Sequence, residues 1–292
     1  MRIAFLACPE TLPGSPTRRP DAFEHDLQIA ALRDGLAGRA EVSAIDWRAP
    51  MGQLTGFDAA LIGSAWDYTE AKDEFLARLE ALEAAGVAVH NPPAMVRWNA
   101  DKLYLRDLAE RGAPSIPTQW LDAPGEAEVL AAFVALGAER VVVKRRIGAG
   151  AIGQVSFLAD DPALARWRMD QPAMIQPFLP AIQAEGELSF VFVGGAFSHA
   201  LVKRAAPGDY RIQSLYGGTE VALEPAPADR AAAQAIMDLL PFAHAPLYAR
   251  IDMIRLANGE LAVIEAELIE PYLYPLQGPG FGRMLAEAVL AA

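Results

Sequence analysis

Residues 248–271, YARIDMIRLANGELAVIEAELIEP, decide the fold. Asn258-Gly259 is the strongest short hairpin signal in the chain, with an apolar run on either side. With a two-residue turn there and no bulge, counting outward pairs Ala257 with Glu260 and Leu256 with Leu261. The same count sets Asp252 opposite Glu265 and Arg250 opposite Glu267. Side chains two residues apart share a face. Arg250, Asp252, Glu265 and Glu267 therefore lie together at the open end of the hairpin. Ile251, Met253, Ile264 and Ala266 cover the other face.

Like charges directly opposite one another destabilise a sheet. At an effective dielectric of ~20, two charges ~4 Å apart repel by about 4 kcal/mol. A divalent cation reverses that sign, and magnesium prefers carboxylate oxygens together with phosphate oxygens and water. The alternative is that Arg250 neutralises the cluster without a metal. Three acids and one arginine, however, leave excess negative charge, and Glu270 follows a few residues later.

A second stretch, residues 141–157, reads VVVKRRIGAGAIGQVSF. Lys144 ends a β-branched run, a glycine-rich link follows, and then another strand-like run. A dinucleotide fingerprint needs a helix after its glycines, and a P-loop needs GK[ST]; neither is present. A glycine loop between antiparallel strands can fold over a nucleotide and offer backbone N–H groups to phosphate oxygens. Lys144 would then meet the phosphates as a point charge. The ordinary alternative is a plain turn, and the acidic hairpin in the same chain weighs against it.

Composition sets the limits. The chain has 292 residues, 53% of them hydrophobic, enough for about two domains of ~150 residues with sizeable cores. The formal net charge of −12 argues against nucleic acid or an anionic membrane surface as partner, because both require clustered Lys and Arg. The single cysteine, Cys8, excludes an internal disulfide and a cysteine-rich zinc site, and it fits a cytoplasmic setting. No run approaches the ~20 apolar residues of a membrane helix, and MRIAFLAC reads as a first strand rather than a signal peptide.

Along the chain, strands at RIAFLA, EVSAIDW, FDAALIG and VAVHN alternate with helices at DAFEHDLQIAALRDGLAG and EAKDEFLARLEALEAAG. That pattern predicts an N-terminal parallel α/β domain over residues 1–95, ended by the NPP break. A capped helix follows in RWNADKLYLRDLAERG, with Asn99 or Asp101 near its start and Gly112 after it. Residues 96–292 are α+β. They divide into a small mobile lobe at about 115–176 and a lobe carrying the acidic hairpin at about 177–292. Cys8 has the character of an ordinary buried thiol.

In order, NADK, VVVK with its glycine loop, MIQPFL, GELSF, GDYRIQ, YARIDMI and VIEAELIEP resemble the ATP-grasp superfamily of carboxylate-amine ligases, over roughly residues 95–292. The resemblance implies an ATP-grasp fold of two α+β lobes behind the α/β domain. It implies ATP and Mg²⁺ as cofactors, with Mn²⁺ as a substitute. Lys102 and Lys144 look like the two lysines that hold ATP phosphates, and Gly148, Gly150 and Gly153 belong to the segment that looks like the mobile phosphate loop. Gln176, Pro177, Phe178 and Leu179 look like the adenine-contacting link. Glu187 is similar to the acid that binds ribose hydroxyls. Asp252, Glu265 and Glu267 match the metal positions, although many members carry Asn where Glu267 stands. Arg250 matches a position that touches the transferred phosphate. Within the superfamily, VRWNADKLYLRDLAERG, FSHALVK, GDYRIQ and EAELIEP most resemble the D-cycloserine-forming O-ureido-serine cyclo-ligases.

That resemblance implies attack of a substrate carboxylate on the γ-phosphate, giving an acyl phosphate and ADP, then displacement of phosphate by a nitrogen nucleophile. Phosphoryl transfer of this kind asks the protein for positioning and charge neutralisation. Arg211 or Arg250 would steady the acyl phosphate and the later oxyanion. Lys203, Asp209 and Arg211 flank a second pocket wall, and the planar fork of Arg211 suits a carboxylate; a salt bridge to Asp209 is its alternative. Trp66, Asp67 and Tyr68 follow a strand where α/β sheets bind ligands, with core packing and capping as the alternative. His199 shares a strand face with Lys203 and is more in keeping with a structural histidine than a base. His25, His90 and His244 have no partner visible in the sequence. The expected partner is a small-molecule carboxylate, and a homo-oligomer is compatible with the pattern. The competing functions are an ATP-binding module without ligase turnover, which the retained acids and lysines speak against, and a kinase that stops at phosphoryl transfer.

Overall fold

The computed structural model describes residues 1–206, 208–212 and 216–291, and three sheets organise it. The first is parallel, in the order β2 (Glu41–Asp46), β1 (Arg2–Ala7), β3 (Ala59–Ser64), β4 (Ala88–His90). β3 is buried along its whole length, as a parallel strand covered on both faces should be. One face, with Ile3, Phe5 and Leu61, packs on Leu32 and Leu36 of α1 (Phe23–Leu36). The other, with Ala4, Leu6 and Ile62, meets Leu54 of the short α2 (Met51–Leu54) and Phe75 and Leu79 of α3 (Lys72–Ala84).

The single helix expected in RWNADKLYLRDLAERG is two helices, α4 (Pro93–Asn99) and α5 (Tyr104–Glu110). Asn99 ends the first instead of capping the second. Asp101 does act at the start of the second, its carboxylate accepting from the Leu103 N–H at 3.0 Å. The interruption leaves the Lys102 backbone N–H free to donate to the Arg146 carbonyl at 3.0 Å.

The second sheet is antiparallel: β5 (Gln119–Leu121), β8 (Ala173–Pro177), β6 (Arg140–Arg145), β7 (Val155–Leu158). It is backed by α6 (Glu126–Leu136), whose Val129 and Phe133 pack on Val141 and Val143. β6 and β7 flank the glycine-rich link as antiparallel neighbours. The third sheet runs β11 (Thr219–Leu223), β10 (Ala196–Arg204), β9 (Glu187–Val193), β12 (Tyr248–Arg255), β13 (Leu261–Glu267). Before it stands the short α7 (Ala181–Ala184). One face, with Leu188, Phe190 and Phe192, buries against α5 and against Ile236 and Met237 of α8 (Pro227–Asp238). The other face is divided. Val191, Val193 and Tyr248 pack into the first-sheet core, whereas Glu187, Arg250 and Asp252 open onto a cavity.

The hairpin register differs from the sequence-based count in two compensating ways. Leu256 N–H donates to the Glu260 carbonyl at 2.8 Å, so the loop is the three residues Ala257–Gly259, with Gly259 at φ +87°. This is the type I turn plus left-handed glycine of a three-residue hairpin loop. Arg255 therefore faces Leu261. A bulge at Ile264 then restores the expected pairing, and Asp252 faces Glu265 while Arg250 faces Glu267. The bulge turns Ile264 toward the cavity with Glu265, and Ile264 does not cover the opposite face.

The last helix, α9 (Phe281–Ala291), lies on α1. The two approach so closely that a Cβ on Gly282 would stand 2.1 Å from the Ala31 carbonyl oxygen, and one on Gly35 would stand 2.0 Å from the Gly282 oxygen. Among the described residues no helix is long and apolar enough to cross a membrane. Gly282→Ala is expected to lower stability by ~1–3 kcal/mol through overpacking. Gly280→Ala, whose Cβ meets nothing within 4 Å, is expected to stay within ~0.5 kcal/mol of the parent. Paired denaturant melts check both.

Candidate active site

The cavity lies where the second and third sheets and the first domain meet. Its apolar end is lined by Val142, Met174, Phe178, Leu179, Ile254 and Ile264, a slot suited to a flat aromatic ring. Gln176 and Pro177 line the same end. The Gln176 amide donates to Thr118 Oγ1 at 3.0 Å, and the Arg140 guanidinium stacks 3.9 Å from the Phe178 ring centroid.

At the other end the third sheet concentrates charge, and strand register explains how. Lys203 lies opposite Glu187 across β10 and β9, and Ser189 lies opposite Asp252 across β9 and β12. Lys203 Nζ is 2.5 Å from Glu187 and 3.2 Å from Asp252. The Ser189 hydroxyl donates to Asp252 Oδ1 at 2.5 Å. Arg250 binds both Asp252 oxygens, contacts Glu267, and donates to the Tyr272 carbonyl at 2.9 Å. Burial works against a charge on Asp252, but Arg250 and Lys203 overrule it and hold the carboxyl well below the usual range. Glu187 is different: burial lifts it to about 7 in spite of Lys203.

Asp252, Glu265 and Glu267 each bring a carboxylate oxygen to within 4.8 Å of the others. Burial, opposed by Arg250, lifts Glu267 to about 7. Lys102 Nζ bridges Glu265 and the Gly148 carbonyl, both at 2.8 Å. It thereby ties the acid cluster to the glycine loop. Arg146 pins the same junction through a two-pronged contact with Asp101 at 3.0 and 2.5 Å. Lys144 has no ion pair among the described residues, and burial pushes its ammonium pKa down. A desolvated cation facing a cavity is prepared for an anionic ligand.

Gly148 and Gly150 line the cavity. Gly153 stands back from it at φ +72°, where a Cβ would meet the Arg145 guanidinium at 2.6 Å. Trp66 and Tyr68 are cavity residues, and Asp67 is not. The short helical turn Trp66–Glu70 points Asp67 outward, where it accepts from Trp47 Nε1 at 2.7 Å and pairs with Arg48. Arg211 lines the cavity while bound two-pronged to Asp209, with Nη2 at 2.7 Å, and it lies over the Tyr216 ring at 3.8 Å. Gln213 of the GDYRIQ phrase lies outside the described residues. His199 is away from the cavity, bonded to Ser198 at 3.0 Å, and burial lowers it to about 4. His25 does have a partner: its Nδ1 is 2.7 Å from Ser64 Oγ, which in turn meets Thr11 at 2.9 Å.

Sequence reasoning gave no role to Ser189, which stands within the GELSF phrase and becomes visible as the partner of Asp252 only through strand register. It also misassigned Asn99. The Asn99 amide donates to the Ala266 carbonyl at 2.6 Å and its oxygen accepts from the Leu268 N–H at 2.9 Å. It thus brackets the backbone of Glu267. Tyr272, Tyr274, Arg19, Glu24 and Glu220 also line the outer cavity, and they fall outside every phrase of the resemblance.

The model of the D-cycloserine synthetase DcsG N-terminal domain matches residues 3–91. The cycloserine biosynthesis protein DcsG of Streptomyces lavendulae is 32% identical over 244 residues, 78% of this chain and 81% of that one. A glutathione synthetase of Ralstonia nicotianae is 29% identical over 196 residues, 64% of this chain and 57% of that one. The crystal structure of D-cycloserine synthetase DcsG superposes with a TM-score of 0.84 at 25% identity, covering 100% of this chain and 99% of that one. A D-alanine–D-alanine ligase from Bacillus anthracis, solved with ATP, shares the fold at a TM-score of 0.67 and 17% identity, covering 99% and 94%. The overall architecture is thus shared along the whole chain, and the chain belongs to the D-cycloserine synthetase family of ATP-grasp carbon–nitrogen ligases.

Proposed function

We propose that this cavity binds ATP and activates the carboxylate of a small amino-acid-like substrate as an acyl phosphate. A nitrogen nucleophile then displaces phosphate. Ring closure within an O-substituted serine is the first candidate, supported by the likeness to DcsG along most of both chains. The reaction belongs in the cytosol, where ATP is supplied. The observation that carries the reading is three carboxylate oxygens within 4.8 Å of one another, with Lys144, which has no ion pair among the described residues, lining the same cavity.

The donor set fits magnesium. Carboxylate oxygen is the kind of ligand magnesium prefers, and Asp252, Glu265 and Glu267 would hold it with oxygens within 4.8 Å of one another. When bound, Mg²⁺ neutralises charge on the β- and γ-phosphate oxygens. Lys144 and Lys102 take the remaining phosphate charge, and Gly148 and Gly150 close over it with backbone N–H groups. Phe178, Leu179 and the neighbouring Gln176–Pro177 segment hold the adenine, and Glu187 takes the ribose hydroxyls. The sheet β5-β8-β6-β7 serves as the mobile lobe.

Arg250 faces the transferred phosphate and Arg211 grips the substrate carboxylate. Lys203 touches both Glu187 and Asp252, so it acts chiefly as a positioning residue for these two acids. Glu267, where relatives often carry Asn, has its extra charge met by Arg250. Trp66 and Tyr68 contact the substrate, while Asp67 fixes their turn from behind.

Lys144→Ala is expected to cut ADP release at least 100-fold without altering the melting temperature. A coupled ADP assay across D- and L-amino acids, O-substituted serines and short dipeptides makes the comparison; unchanged turnover overturns the reading. Mg²⁺–ATP at a hundredfold excess over its dissociation constant is expected to stabilise the parent by ~2.7 kcal/mol. Asp252→Asn is expected to lose the magnesium-dependent part of that shift, as read by thermal melts with and without EDTA.

A further inference from the structure

One carboxyl in the cavity wall has no task in the reaction described above. Five carboxylates surround its reacting end: Glu187, Asp252, Glu265, Glu267 and Glu270. Four of them touch a lysine or arginine: Glu187 and Asp252 meet Lys203, Asp252 and Glu267 meet Arg250, and Glu265 meets Lys102. Glu270 is only 9% exposed, and among the described residues no side chain pairs with its carboxylate.

The backbone around it is held from three sides. Asn99 accepts from the Leu268 N–H at 2.9 Å, the Tyr248 hydroxyl donates to the Ile269 carbonyl at 2.9 Å, and Trp66 Nε1 donates to the Glu270 carbonyl at 3.2 Å. These anchors come from α4, β12 and the Trp66–Glu70 turn of the first domain. The carboxyl therefore has a fixed place at the seam where that domain closes the cavity. Glu270 stands three residues beyond Glu267, the last residue of β13.

Burial, with Glu267 beside it, pushes the Glu270 carboxyl well above the usual carboxylate range, and a ligand that brings a cation or a hydrogen-bond donor favours its ionised form. The substrate's carboxylate end is directed to Arg211 and Arg250. Its nitrogen is the complementary group, and that nitrogen must lose a proton as it is acylated. We propose that Glu270 receives the nucleophilic nitrogen of the substrate and accepts its proton during carbon–nitrogen bond formation. The inference rests on the ligase reading above and adds to it the residue that serves the second half of the reaction.

The step balances. The nitrogen lone pair forms the C–N bond at the acyl carbon. The bond from that carbon to the phosphate oxygen breaks, and its electron pair leaves with phosphate. The N–H proton passes to the Glu270 carboxylate and from there to water. No oxidant, reductant or further reactant is needed. Glu270 takes no part in forming the acyl phosphate, so the two halves of the reaction should separate when it is changed.

The test uses purified full-length protein with ATP, Mg²⁺ and O-ureido-serine as both enantiomers, or whichever carboxylate gives the highest phosphate release in the screen. Hydroxylamine traps the acyl phosphate as a hydroxamate without help from a protein base. Glu270→Gln is expected to form ring or amide product about 100-fold more slowly, while hydroxamate formation stays within threefold of the parent. Glu270→Asp keeps a carboxylate and is expected to recover product formation at least tenfold over Glu270→Gln. If product and hydroxamate fall together, Glu270 is a structural anion of the seam and the proposal is overturned. Unchanged product formation, or an Asp variant no better than the Gln variant, overturns it as well. A parent protein that makes neither ADP nor hydroxamate sinks the ligase reading itself, a result distinct from these.

Discussion

Opposed carboxylates on a buried hairpin are the constraint around which the structure is arranged. Asp252 and Glu265 face one another across β12 and β13, where repulsion in a medium of low dielectric is severe. The sheet meets that cost with neighbours set by register: Ser189 beside Asp252 on β9, Lys203 reaching across from β10, and Arg250 two residues before Asp252 on the same face. Each is buried, and Lys203 and Arg250 each serve two acids. Removing either cation leaves a carboxylate unpaired in the core, the situation in which buried ion pairs matter most.

The same face of the same sheet explains why the site is where it is. β12 runs from Tyr248, whose hydroxyl binds the Ile62 and Ile269 carbonyls, through Arg250 to Asp252 and Ile254. Successive inward residues thus pass from domain contact to charge cluster to apolar slot. The second and third sheets line this cavity together with Trp66 and Tyr68 of the turn after β3. The link through Lys102 is part of this, since a single ammonium joins Glu265 on β13 to the Gly148 carbonyl on the glycine loop.

Much of this was legible in the residues because strand periodicity and charge pattern are local properties. The pairing of Asp252 with Glu265 followed from counting, although the count assumed a two-residue turn. The actual three-residue loop and the Ile264 bulge shift the register in opposite senses. The outcome survived because the acids lie beyond both irregularities, and Ile264, which lies at the bulge, was placed on the wrong face. Trp66-Asp67-Tyr68 shows the same limit: a short helical turn separates neighbours by ~100° or more, so the outer two reach the cavity and Asp67 reaches Arg48.

The sequence by itself determined the alternation of strand and helix, the hairpin that opposes its acids, and the glycine loop carrying a lysine, since each depends on residues adjacent or two apart in the chain. Only the tertiary structure decided which cation answers which carboxylate, that Asn99 clasps the backbone beside Glu267 instead of capping a helix, that His25 has Ser64 as partner, and that Glu270 has no side-chain partner among the described residues. Those outcomes depend on contacts between segments as many as 169 residues apart, as in the Asn99–Leu268 bond. No local periodicity encodes them, because they arise from how separate elements pack and from which polar groups that packing removes from water.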